Sequence, residues 1–188
     1  MSSLCVTPEA LANGLPRPIN GYLCPPSNAY GIDFTAFTVR DDESGFVYFE
    51  VRQDGAPLPF EMLGLEEPRS IRYRFNPDIL RLPQINTVLE FRTSQDLPNF
   101  QVIEKHYVGE TNFATYRFGM DGPLKAGEKH VQEYVYENRI SEALITEAVG
   151  HPWSHSVEAL YFVDDEIVMH NKAAYLYSDD IPGIPGQS

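Results

Sequence analysis

The segment Phe100-Gln101-Val102-Ile103-Glu104-Lys105-His106-Tyr107 sets a carboxylate and an imidazole two residues apart among apolar neighbours. In an extended strand, period two puts Phe100, Val102, Glu104 and His106 on one face and Gln101, Ile103, Lys105 and Tyr107 on the other. With the first face inward, an acid and a base enter the interior. A buried charge without a partner is costly, so the pair then needs a polar ligand, each other, or solvent at a cavity mouth. With the strand turned round, both are exposed, and on the residues alone that is the plainer expectation. The remaining histidines offer less. His151 and His155 stand four apart, but Pro152 lies between them. That spacing brings two side chains to one face only inside a helix, so no metal pair is expected. HExxH, GxSxG, CxxC and a glycine-rich phosphate loop are all missing. Asp164-Asp165 reads as a turn, where Asp bonds nearby backbone, and not as a catalytic pair. No catalytic residue, metal site or cofactor is therefore expected.

The elements that must position Glu104 and His106 are short strands. Ile32 and Phe34, then Phe37 and Val39, alternate with the parity broken once near Thr35-Ala36, as one extra residue in a strand would do. Phe46 to Val51 follows, then Ile71, Tyr73 and Phe75, ending at Asn76-Pro77. Thr87, Leu89 and Phe91 alternate against Val88, Glu90 and Arg92. Phe100 to Val108, Phe113 to Met120 and Val131 to Tyr136 are further strands. Val157 to Val163 and Ile167 to Tyr177 flank Asp164-Asp165-Glu166, a hairpin signature. Strands this short and this numerous imply two packed antiparallel sheets. A single core helix is expected from Ser141 to Val149, with Ser141 as cap, Leu144, Ile145 and Val149 as apolar stripe, and Gly150 as stop. Thr7-Pro8 through Asn13-Gly14 reads as a short helix inside a flexible arm, residues 1–18. The β-domain then spans 19–178, and a tail with Pro-Gly pairs, 179–188, is expected to be disordered.

A chain of 188 residues suffices for one domain with a full core. Its 43% hydrophobic and 12% aromatic content implies either an unusually aromatic core or rings that line something. The net charge of -13, without any basic run, argues against nucleic-acid binding and against anionic membranes. Cys5 and Cys24 suggest no disulfide framework. The absence of a signal stretch, of an Asn-x-Ser/Thr acceptor and of an apolar run of membrane length predicts a cytosolic chain without stable membrane insertion. With Ser at position 2 and Gly-Gln-Ser at the end, the chain itself is not expected to be myristoylated or prenylated.

Longer stretches carry a resemblance. They are Gly21-Tyr22-Leu23-Cys24, Ile32-Asp33-Phe34, Arg72-Tyr73-Arg74-Phe75, Leu80-Arg81-Leu82, Val102 to Tyr107, Tyr161 to Asp165, and Val168-Met169-His170-Asn171-Lys172-Ala173. In that order, over Gly21 to Tyr177, the chain resembles the delta-subunit family of cyclic-GMP phosphodiesterase, in its uncoordinated-type, myristoyl-binding branch. The resemblance implies an all-β, immunoglobulin-like β-sandwich of two antiparallel sheets with a lipid cavity between them. It implies N-myristoylated cargo proteins as partners, an Arl-type small GTPase in its GTP form as the releasing factor, and a cytoplasmic role in ciliary, flagellar or membrane protein delivery. By position it implies a lining that includes Phe37, Val39, Tyr73, Ile79, Ile85, Tyr161 and Tyr175. It also turns Glu104 and His106 inward, toward the first residues of the cargo. Three positions depart from the pattern: Ile79 stands where an aromatic is usual, the loop Val108 to Asn112 is shorter, and Glu137 replaces an apolar residue. Two rivals remain: a prenyl-binding chaperone of the sibling branch, and a β-sandwich scaffold that recognises proteins by its edges around a closed core.

Overall fold

The structure is a computed structural model that describes residues 7–12, 21–24, 28–53 and 69–185. Cys5, the Asn13-Gly14 stop and residues 186–188 lie outside the described residues. Two sheets face one another. The first holds β1 (Asp33–Asp41), β2 (Val47–Arg52), β4 (Gln84–Arg92) and β7 (His130–Glu137), in the order β2-β1-β4-β7. The second holds β3 (Ser70–Phe75), β5 (Phe100–Val108), β6 (Thr111–Met120), β8 (His155–Val163) and β9 (Glu166–Tyr177), in the order β3-β9-β8-β5-β6. The strands expected from the sequence are all present. One pairing differs from the expected antiparallel pattern: β3 lies parallel to β9, with Tyr73 beside Tyr175. The two strands are far apart in sequence, and no hairpin joins them to impose opposite directions.

Local sequence explains the joints. The parity break in β1 is a bulge: its register with β4 shifts between Phe34 and Ala36, so Phe34 and Phe37 both face the other sheet. The β8–β9 turn puts Asp164 and Asp165 at φ 48° and 64°, the left-handed region that Asp tolerates and that tight hairpins require. Asn76-Pro77 ends β3 as expected and also starts a 3-10 helix, Pro77–Arg81, which the strand pattern did not anticipate. The Asn76 side chain caps it by accepting from Asp78 N at 3.0 Å.

Among the described residues, two α-helices border the sandwich. In α2 (Glu142–Gly150), Ser141 accepts from Leu144 N, as its type predicts. The buried residues are Ile145 and Ala148, whereas Val149, expected on the apolar stripe, is 40% exposed. Positions 144, 145 and 148 follow the helical repeat, and 149 falls past its edge. Gly150 closes the last turn and His151 is the C-cap. In α1 (Pro8–Ala12), Leu11 is buried against Ile103, Leu160 and Phe162 on the outer face of the five-stranded sheet. Beyond β9, Asn76 donates to Ile181 O and Ile184 N donates to Asp78, which ties down part of the segment expected to be disordered.

Between the sheets the core falls into two clusters. Phe91, Phe100, Val102, Leu97 and Tyr161 pack one end. Phe75, Ile79, Leu80, Ile85, Ile145 and Tyr177 pack the other, beneath α2 and the 3-10 helix.

Candidate functional site

The two clusters do not meet as a continuous core. A cavity of about 580 Å³ opens between the sheets and is lined from all nine strands and the 3-10 helix. Phe37 and Val39 of β1 and Ile85 of β4 reach it from the four-stranded sheet. From the five-stranded sheet, Tyr73 of β3, Tyr161 of β8 and Tyr175 of β9 face them. Ile79 enters from the 3-10 helix. Glu104 and His106 of β5 complete the set of residues singled out from the sequence. The structure thus brings all nine to one cavity. The departure at Ile79 sits in its wall. Glu137 is exposed on β7, outside the lining, and offers only its carbonyl, to Tyr116 OH at 2.7 Å.

The inward orientation of Glu104 has a local cause. Its strand neighbours Phe100 and Val102 are 1% exposed and belong to the core at one end, and period two carries Glu104 and His106 to the same side. Glu104 is met by Tyr134 OH, which donates to Oε1 at 3.0 Å, while His106 Nε2 stands 3.5 Å from Oε2. Around this carboxylate the phenols of Tyr73, Tyr134, Tyr136 and Tyr161 are pushed up, first by burial and then by the charge of Glu104. They remain protonated, so the Glu104 carboxylate stands among neutral hydroxyl donors and apolar rings. His151 is exposed at the end of α2, and His155 is buried on β8. No cluster of three or more metal-ligating side chains occurs among the described residues.

Sequence reasoning missed several lining residues. Tyr134 and Tyr136 reach the cavity from β7, and their alternation with exposed Val131 and Val135 inverts the usual order of burial. The period-two tyrosines were the available signal. Phe118 stacks on Tyr134, ring centroids 3.6 Å apart, and closes the seam between β6 and β7. Tyr116 and Tyr177 line the space as well, as does His155. Nothing local to its segment marks His155; its place follows from the pairing of β8 with β5 and β9.

A sandwich whose sheets part around an aromatic-lined cavity, with a half-buried carboxylate among hydroxyls, is built to enclose a largely apolar ligand. Residues 26–177 match the family described as GMP-PDE, delta subunit, and the chain belongs to that family, in its unc-119 branch. It is 36% identical to Protein unc-119 homolog B-A of Xenopus laevis, over 88% of this chain and 71% of that protein. It is 35% identical to Protein unc-119 homolog B of Homo sapiens, over 87% and 69%, and 32% identical to Protein unc-119 of Caenorhabditis elegans, over 92% and 80%. Proteins of this family are non-catalytic binding proteins. Among the described residues no helix is long and apolar enough to cross a membrane.

Proposed function

We propose that this protein sequesters the myristoylated N-terminus of cargo proteins between its sheets, carries them through the cytoplasm, and surrenders them to a GTP-loaded Arl-type GTPase during delivery to ciliary or other membranes. The observation that carries this reading is the cavity, about 580 Å³, apolar along much of its wall and polar at Glu104 and His106. Ligand cavities of small molecules commonly fall between about 300 and 1,000 Å³. Each methylene moved from water into such a space gains roughly 0.8 kcal/mol. A single myristoyl chain holds a membrane only weakly, at about 10⁴ per molar. A cavity that also bonds the adjoining peptide therefore competes with a bilayer, because lipid tails cannot read that peptide.

Titration of matched fluorescent myristoyl and farnesyl peptides tests the reading. Selective binding of the myristoyl peptide is expected. Equal or stronger binding of the farnesyl peptide assigns the chain to prenyl cargo, and binding of neither leaves the scaffold reading. Unloading requires negative coupling between cargo and GTPase, typically about 1–3 kcal/mol, or roughly 5–150-fold in affinity. In stopped-flow displacement, GTP-loaded GTPase in excess accelerates release and the GDP form does not. Release that stays at its intrinsic rate with the GTP form overturns that trigger.

A further inference from the structure

Glu104 and His106 do not exhaust the polarity of the cavity. The inward face of β5 runs from Phe100 and Val102 through Glu104 to His106, and His106 lies beside Val157 on β8. The next inward residue of β8 is His155, which pairs across to Tyr175 on β9. His155 is 5% exposed and lines the cavity. Its Nδ1 lies 2.5 Å from the hydroxyl of Tyr177, and the two rings are within 24° of parallel. Its Nε2 is buried without a hydrogen-bond partner among the described residues.

The partners of Nδ1 decide where the proton of His155 sits. Burial, and then Tyr175, push the Tyr177 phenol well up, so it keeps its proton. Burial, and then His106, push the His155 imidazole well down, so it is neutral. The Tyr177 hydroxyl can donate to Nδ1 or accept from it; when it donates, the neutral imidazole carries its own hydrogen on Nε2. That N–H is a buried donor, and a buried donor left without an acceptor is costly. The rings around it, Phe113, Tyr175 and His106, have centroids 5.4, 4.7 and 5.9 Å away. The charge already in the cavity selects among acceptors. The Glu104 carboxylate is felt as far as Tyr175 and Tyr136, whose phenols it helps to raise. Arg69 and Lys172 also line the cavity, but the charge that acts on Tyr175 and Tyr136 is that of Glu104, so at this end a second carboxylate is repelled and an uncharged oxygen tolerated.

We propose that the Nε2–H of His155, held in that tautomer by Tyr177, donates to an uncharged carbonyl oxygen of the bound ligand and so makes the cavity prefer acyl amides to free fatty acids. His155 is then a specificity-determining residue that touches the ligand, and Tyr177 is a positioning residue. The inference rests on the acyl-peptide reading of the cavity. It adds a donor that no segment of the sequence singled out.

The test uses the full chain and a myristoyl-glycyl peptide carrying a ¹³C carbonyl label, placed in turn at the acyl carbonyl and at each of the first few residues. In the wild-type protein, isotope-edited infrared spectra show one labelled carbonyl lowered in frequency. In His155→Phe that band returns toward its free value and peptide affinity falls about tenfold, or about 1.4 kcal/mol. Affinity for free myristate changes less than about twofold, since an anion at this end is already disfavoured. Tyr177→Phe frees the tautomer and gives a smaller change in the same direction. The wild-type protein supplies a readout without any variant: nitrogen NMR places the His155 proton on Nε2, and peptide moves that proton downfield. Carbonyl bands unmoved by His155→Phe at every label, an imidazole proton on Nδ1, or equal losses for peptide and myristate overturn the inference. If the wild-type protein binds no acyl peptide, the acyl-peptide reading falls with it. If it binds the peptide and the carbonyls do not respond, only the His155 assignment falls.

Discussion

The two faces of the five-stranded sheet both bury ionisable side chains, and they treat them differently. On the outer face, Lys105 and Glu158 are register partners across β5 and β8, 6% and 2% exposed. His170 is fully buried beside them; its Nδ1 accepts from Leu23 N at 3.0 Å, and its Nε2 stands 3.9 Å from Glu158. Leu11, Leu23 and Ile167 pack over the neighbouring Ile103, Leu160 and Phe162. Tyr22 is held by Arg69, 3.6 Å from its ring centre, and by Lys172 at 4.7 Å. On the inner face, Glu104 and His106 sit beside open space with His106 Nε2 3.5 Å from the Glu104 carboxylate, and His155 Nε2 lacks a hydrogen-bond partner among the described residues, as does His170 Nε2 on the outer face. The outer face is completed by the chain's own N-terminal residues. The inner face sets its polar groups on open space, which is what a ligand site requires and a filled core lacks.

The largest test of this contrast compares two aromatic truncations. Phe162→Ala on the filled outer face is expected to cost about 3–5 kcal/mol of stability in urea unfolding. Tyr175→Ala or Tyr73→Ala, facing the cavity, is expected to cost well under half of that, because the ring borders space already, and to weaken myristoyl-peptide binding. Equal stability losses for the two faces would mean that the inner face is an ordinary core.

A second test, smaller in effect, compares the buried carboxylate of Glu158 with the half-buried one of Glu104. Glu158→Gln leaves Lys105 facing a neutral group in a closed environment, and a loss of about 3 kcal/mol is expected. Glu104→Gln is expected to change stability by less than about 1 kcal/mol, because Tyr134 OH can still donate to the amide oxygen. It weakens the myristoyl peptide and leaves free myristate equal or tighter, since a fatty carboxylate no longer meets a like charge. Parallel losses for both ligands would show that Glu104 acts through stability.

The smallest effect is in pH dependence. Burial, and then the charges of Lys172 and Arg69, lower His170 from 6.5 to about 4. Below 6.5 the unfolded chain takes up a proton there that the folded chain refuses until about pH 4. Stability therefore falls as pH drops through that window, and for this residue it is flat above it. His155, lowered by burial and by His106, acts in the same direction from the inner face. His170→Asn is expected to flatten melting temperature against pH between about 7 and 4.5 while the share of His155 remains. A slope unchanged by the substitution would place the proton uptake elsewhere than on the outer face.

Much of this was legible in residue order. The alternation in each strand, the bulge at Thr35-Ala36, the Asp164-Asp165 turn and the Ser141 cap are local features, and each appears where its residue types put it. The nine site residues were reached through family resemblance and strand parity together. What failed shares one cause. Val149 was expected to be buried and Ala148 was overlooked, because hydrophobicity marks which residues can be buried and not which face meets a neighbour. On β7 the valines point out and the tyrosines in for the same reason.

Sequence by itself determined that Glu104 and His106 share a face with Phe100 and Val102, since alternation in an extended chain is a property of the backbone. Only the tertiary structure decided that this face looks onto a cavity while the opposite face is buried too. That outcome needs Leu23 to meet His170 across 147 residues. It needs β8 to bring His155 to Tyr177, and β3 to lie parallel to β9. Contacts between segments so distant are set by which surfaces pack when the whole chain closes, and no local pattern encodes that choice.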